Sequence, residues 1–215
     1  MINPNFTRGE YWLLETVAEI KFPIRLLDDR ESLEIELNKP SHGMNRNLLI
    51  DTIQKLFSNG LITAFRIGDT ANDFIFSKEQ LEAAFNERKL KKGDYYYGLT
   101  KKGGQYWEAF ASPNWDYYID VGYIPIENGN YDDGELICSV KSNLEKYFKS
   151  VCYHEYDVDE KSIQWDTVEP WEATYWKELP MGYRVRFHGK MKESYLNSSV
   201  PLYPYWYHDR WYSWQ

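Results

Sequence analysis

Apolar residues early in the chain recur at spacings of three and four, and the polar residues between them mark where helices begin and end. Thr7-Arg8-Gly9-Glu10 has the form of a capping box, in which the Thr7 hydroxyl and the Glu10 carboxylate each satisfy a backbone N–H left open by the first helical turn. A helix is predicted from there, with Leu13, Val17 and Ile20 on one face, ending before Pro23. The segment 28–40 reads as a shorter helix that stops before Pro40, although Leu33, Ile35 and Leu37 also alternate as in a strand. Across 45–67 the pattern is plainer. Leu49, Ile53, Leu56 and Phe57 make an apolar stripe at helical spacing, Gly60 sits where a left-handed C-terminal cap belongs, and 61–67 resumes as a strand.

Ser77-Lys78-Glu79-Gln80 repeats the capping-box signature before a helix that turns Leu81, Ala84 and Phe85 inward. Tyr95, Tyr96 and Tyr97 have strand composition, and Thr100 carries the hydroxyl to cap a helix running through Gly103, Gly104, Trp107 and Phe110. Glycine inside a helix costs about 1 kcal/mol relative to alanine, so a neighbour is expected to pack closely against that backbone. The order helix, helix, helix, strand, strand resembles the winged helix-turn-helix domains of bacterial repressors. Gly60-Leu61-Ile62-Thr63 follows the third helix, Leu99-Thr100-Lys101-Lys102-Gly103 closes the unit, and the resemblance covers residues 7–111. It implies that 45–59 corresponds to that family's recognition helix and that duplex DNA is the partner. Arg46, Asn47 and Lys55, with Lys91 and Lys92 from the basic run ahead of Tyr95, would then contact it. The family has a short hairpin tip where this chain has the 27 residues between Ile67 and Tyr95.

A Pro113-Asn114 break suggests a boundary, giving a winged-helix-like domain at 1–112 and a small α+β domain at 113–215. In the second, Leu136, Val140, Leu144, Tyr147, Phe148 and Val151 predict one amphipathic helix after Asp133. Cys138 and Cys152 would both lie on that helix, about 21 Å apart along its axis, too far for a disulfide. Residues 171–191 read as a hairpin about Pro180-Met181-Gly182. Its register pairs Leu179 with Tyr183, Lys177 with Val185 and Tyr175 with Phe187, and on the other face Glu178 with Arg184 and Trp176 with Arg186. With 162–168 as a neighbouring strand, this half is expected to be an antiparallel sheet covered by one helix, and the chain as a whole α+β.

Charge and composition sharpen the functional picture. The net charge is −8, and residues 113–215, with 10 Lys+Arg against 17 Asp+Glu, carry −7 of it. Such a half repels phosphate backbones and attracts cationic partners. It also holds 7 of the 9 Trp and 14 of the 19 Tyr, more rings than a core of that size needs, which points to an interface. The tail is richest: Trp206, Tyr207, Trp211 and Trp214 are the candidate partner-binding residues, with Asp157, Asp159 and Glu160 as rim charges. The tail and Trp165, Trp171 and Trp176 admit three readings: the core of a small domain, a stacking surface for single-stranded nucleic acid, or a protein interface. No run approaches the roughly 18 apolar residues of a membrane helix, and the N-terminus lacks signal-peptide character, so a cytoplasmic protein is expected; the resemblance to bacterial repressors implies one of bacterial type.

Chemistry is sparse. Cys152, His154, His188 and His208 lack paired metal-ligand spacing, Asp132-Asp133 reads as a turn, and Gly103-Gly104 has no phosphate-loop pattern. The expectation is therefore no catalysis, no cofactor and no metal. The leading reading is a protein-interaction module binding a basic partner, a description that suits an inhibitor or immunity-type protein. The alternative is a DNA-binding regulator.

Overall fold

The computed structural model describes residues 5–29, 33, 37, 39–66, 75–86, 95–125, 132–193 and 211. The chain is α+β and forms two units. One comprises Met1–Phe110 with Thr174–Lys177, the other Ala111–Ala173 with Glu178–Gln215.

In the first unit, local capping starts the helices where the sequence marks them. Helix α1 (Arg8–Thr16) has both halves of its capping box, with Thr7 N–H donating to Glu10 Oε2 (2.8 Å) and Glu10 N–H to Thr7 Oγ1 (3.3 Å). It buries Leu13 and Leu14, with Val17 just beyond its end. Because the helix stops at Thr16, the expected inward face does not extend to Ile20, which is 65% exposed. Helix α2 (Arg46–Ser58) is capped by Asn45 and ends in a left-handed glycine cap. There Gly60, at φ +65°, donates to Phe57 O (2.8 Å) and Leu61 N–H donates to Leu56 O (3.0 Å). Strand β2 (Ile62–Arg66) follows, then α3 (Lys78–Asn86), which opens with the reciprocal Ser77–Gln80 bonds. Strand β3 (Tyr95–Leu99) lies between β2 and the two-residue β1 (Phe22–Pro23) in an antiparallel sheet. The helix read at 28–40 lies largely outside the described residues, although Leu33 is fully buried.

Helix α4 (Lys101–Ala111) explains its paired glycines. Thr100 Oγ1 accepts from Gly103 N–H (2.9 Å), as a cap should. A Cβ on Gly103 would fall 1.8 Å from Leu61 O, and one on Gly104 would fall 2.0 Å from the Trp176 ring. Trp176 belongs to the segment Thr174–Lys177, whose ends bond each other through Thr174 N–H to Lys177 O and Lys177 N–H to Thr174 O (both 3.2 Å). Within the first unit, Trp176 Nε1–H donates to Ala18 O (2.8 Å). The Tyr175 hydroxyl donates to Val17 O (2.6 Å) and accepts from Leu99 N–H (2.6 Å), and Tyr97 donates to Leu13 O (3.0 Å). These aromatic donors satisfy one carbonyl of the last turn of α1, Leu13 O, and the two that follow its end, Val17 O and Ala18 O, where the last turn has no basic residue.

The second unit is a sheet in the order β4 (Ile119–Pro125), β5 (Asp132–Cys138), β10 (Gly182–Met191) and β6 (Tyr156–Val158), with β7 (Gln164–Val168) also on β10. Helix α5 (Lys141–His154) covers one face. Leu144, Tyr147, Phe148 and Val151 pack there with Leu136, Cys138, Val185 and Phe187. Two expectations are corrected. The helix does not begin after Asp133, because residues 132–138 form the strand between β4 and β10, burying Leu136 and Cys138 at period two. Val140 is instead the residue before the helix. Cys138 and Cys152 are therefore on different elements, and both are free thiols. The predicted hairpin register also fails. Strand β10 pairs with β5, β6 and β7, while the separate short pair β8 (Trp171–Glu172) and β9 (Glu178–Leu179) brackets Thr174–Lys177. Long-range pairing of β10 with β5 on one side and with β6 and β7 on the other outcompetes the local turn.

At the end of α5, Lys192 Nζ donates to the Cys152 and Tyr153 carbonyls (2.9 Å each), a cation on the negative pole of the helix. Glu155, the C-terminal cap residue, is buried beside the same pole, and burial raises its carboxyl above the usual value of 4.5. A raised carboxyl makes ionisation cost stability, a penalty present above the folded pKa and gone below 4.5. Glu155→Gln is therefore expected to raise the unfolding midpoint at pH 7, with the gain shrinking as pH falls toward 4.5. Thermal unfolding across that range checks it, and a gain that grows on acidification refutes it.

Candidate protein-binding surface

The alternation of β10 sorts its side chains. Val185 and Phe187 face α5, and Arg184, Arg186, His188 and Lys190 face the other way. Register sets each of these opposite a particular neighbour: Asp166 of β7 against Arg184, Glu135 of β5 against Arg186, Asp133 against His188, and Asp157 of β6 against Lys190. Asp166 accepts from two Arg184 nitrogens (Nε and Nη2, 2.8 Å each) and from Arg186 Nη2 (3.0 Å), and Arg184 Nη1 reaches Glu135 Oε2 (3.4 Å). The Arg184 hydrogen bonds hold the Asp166 carboxyl below its usual range, and the guanidinium is raised in return. His188 Nδ1 contacts Asp133 Oδ1. Asp120 of β4 is shifted upward, by burial and then by Glu135 beside it. This face is a ladder of opposite charges.

Of the residues grouped as one site in the sequence, the structure places Trp211 apart from the acids. Trp211 packs on Trp115 and Tyr118 (ring centroids 4.8 Å from each), and its carbonyl accepts from Asn114 N–H. That cluster includes Trp171, whose ring would be 2.8 Å from a Cβ on Gly182. Asp157 pairs with Lys190 at the far end of β10, and the strand from Gly182 to Lys190 spans about 27 Å. Trp211 and the acids are thus two patches. Trp206, Tyr207 and Trp214 lie outside the described residues.

No family model, curated protein or solved structure matches this chain. Its surface must be read from its own geometry.

The acidic patch gains a partner that sequence reading left undecided. Strands β6 and β7 run along the same side of β10, joined by the 3-10 turn Glu160–Ser162. Asp159 Oδ1 accepts from Lys161 N–H (3.0 Å), while the Ser162 hydroxyl donates to Asp159 O (2.6 Å) and accepts from His188 N–H (2.8 Å). The turn so stitched holds Asp157, Asp159 and Glu160 exposed along one edge. Immediately after it, Trp165 is 41% exposed, its ring edge-on to Phe148 at 5.7 Å. The signal that could have singled Trp165 out is its position between Gln164 and Asp166, a lone ring amid polar residues.

The residues of the DNA reading are placed less favourably. Arg46 Nη2 donates to Glu82 O (3.0 Å) and Asn86 Oδ1 (2.8 Å), its Nη1 lies 3.5 Å from Asp28, and Lys55 is 2.6 Å from Glu10. A phosphate would have to displace those partners. Asn47 is exposed, and Lys91 and Lys92 lie outside the described residues. Among the described residues there is no cluster that could hold a metal ion, and no helix is long and apolar enough to cross a membrane.

Proposed function

We propose that the chain is a non-enzymatic protein-interaction module of the inhibitor or immunity type, acting in a bacterial-type cytoplasm. The first unit is a winged-helix-like scaffold and the second binds a basic protein. One observation carries this reading: Asp157, Asp159 and Glu160 line an exposed sheet edge that also presents Trp165. Acids on a rim speed encounter with a cationic partner, and a tryptophan that loses its remaining exposure supplies holding energy.

Affinity capture from a lysate, followed by titration of the purified partner, tests it. Trp165→Ala is expected to weaken the complex by at least about tenfold, chiefly through faster dissociation. The pair Asp159→Asn with Glu160→Gln should slow association and flatten its salt dependence. Should folded variants capture the same partner with unchanged kinetics, this edge is not the binding surface.

A further inference from the structure

We propose that the partner, on the reading above, docks by adding an antiparallel strand to the free side of β7. Strand β7 pairs with β10 alone among the described residues, so one of its sides offers backbone donors and acceptors to an incoming chain. Natural edges are commonly guarded by proline, charged side chains or a bulge; Gln164-Trp165-Asp166-Thr167-Val168 has no proline, and its one charge, Asp166, is engaged by Arg184 and Arg186 of β10. The opposite edge, β4, contains Gly122 and closes on Pro125, so it is the poorer template.

Chemistry restricts the occupant. Trp165 and Thr167 share the α5 side with Val185 and Tyr183, while Gln164, Asp166 and Val168 take the other side. An added strand therefore needs an apolar residue beside Trp165 and polar or basic residues on the alternate positions. Its C-terminal end runs toward Asp159 and Glu160, which calls for Lys or Arg there. A second copy of this chain suits the edge badly. Antiparallel self-pairing centred on β7 sets Asp166 against Asp166, and like charges directly opposite are destabilising. The occupant is thus an extended, basic, alternating segment of another protein.

The probe is a short fluorescein-labelled peptide alternating lysine and valine, with a glutamate–valine counterpart, titrated against the full chain by anisotropy and by amide NMR. Expected are saturable binding of the lysine peptide alone, shifts of the amides from Gln164 to Val168, and at least about tenfold weakening by Trp165→Ala. Equal binding of both peptides, shifts centred elsewhere, no saturation, or dimerisation through β7 would each overturn strand addition. Partner capture that depends on Trp165 and the acids, without β7 amide shifts, would sink strand addition while leaving the interaction module intact. Loss of both would remove the module reading as well.

Discussion

Gly103→Ala is expected to cost the first unit about 3 kcal/mol or more, or to prevent its native packing altogether. Helix propensity alone predicts the opposite, a gain of about 1 kcal/mol for alanine in a helix interior. Overlap decides the sign. The new Cβ would sit 1.8 Å from Leu61 O and 2.7 Å from Leu61 C, both backbone atoms. Leu61 cannot easily yield, because its N–H closes the cap of α2, its carbonyl accepts from Thr100 N–H (3.1 Å), and Gly60 O accepts from Thr100 Oγ1 (2.7 Å). Urea unfolding of Gly103→Ala beside Gln105→Ala, an exposed position on the same helix that should be near neutral, isolates the effect. Equal stability of the two variants would mean that the α4–Leu61 approach is not as close as described.

Trp176→Ala is the second large effect, at about 3–5 kcal/mol, the range for deleting a buried tryptophan. The indole is 7% exposed, lies edge-on to Trp107 at 6.1 Å, and fills the space that Gly104 leaves. Its removal leaves a void there and strips Ala18 O of its donor. Tyr175→Phe separates the two contributions: it keeps the ring and removes one hydroxyl that both donates and accepts, for a smaller expected loss of about 1–3 kcal/mol. Denaturant midpoints measure both. A Trp176→Ala cost below that of Tyr175→Phe would contradict the packing role.

What could be read early was local. The Thr7–Glu10 and Ser77–Gln80 boxes, the Gly60 cap and the Thr100 cap are each settled by atoms within about five residues of one another, so the residue pattern contains the whole interaction. The close packing implied by Gly103 and Gly104 was legible too, but not the packing residue, since Trp176 is far along the chain. The failures share that cause. Leu136, Val140 and Leu144 fit a helical face, yet pairing with the adjacent β4 and with the distant β10 recruits residues 132–138 as a strand. The acids at 157, 159 and 160 were recognisable as exposed by type. Trp165 carried one local hint, its polar neighbours Gln164 and Asp166, but its place on an edge strand depends on pairing with β10, which no local pattern contains.

The membership of Thr174–Lys177 in the first unit has a consequence for synthesis. A ribosome delivers the chain from its N-terminus, and at about 5–20 residues per second the stretch from Phe110 to Lys177 takes roughly 3–13 s to emerge. Throughout that interval the nascent first unit has its helices but not the rings that finish it, with the glycine faces at 98 and 104 uncovered. Such an unfinished unit, with apolar faces uncovered, is the kind of chain that chaperones bind during translation. A gene fragment ending at the apparent boundary near residue 112 would prolong that unfinished state indefinitely.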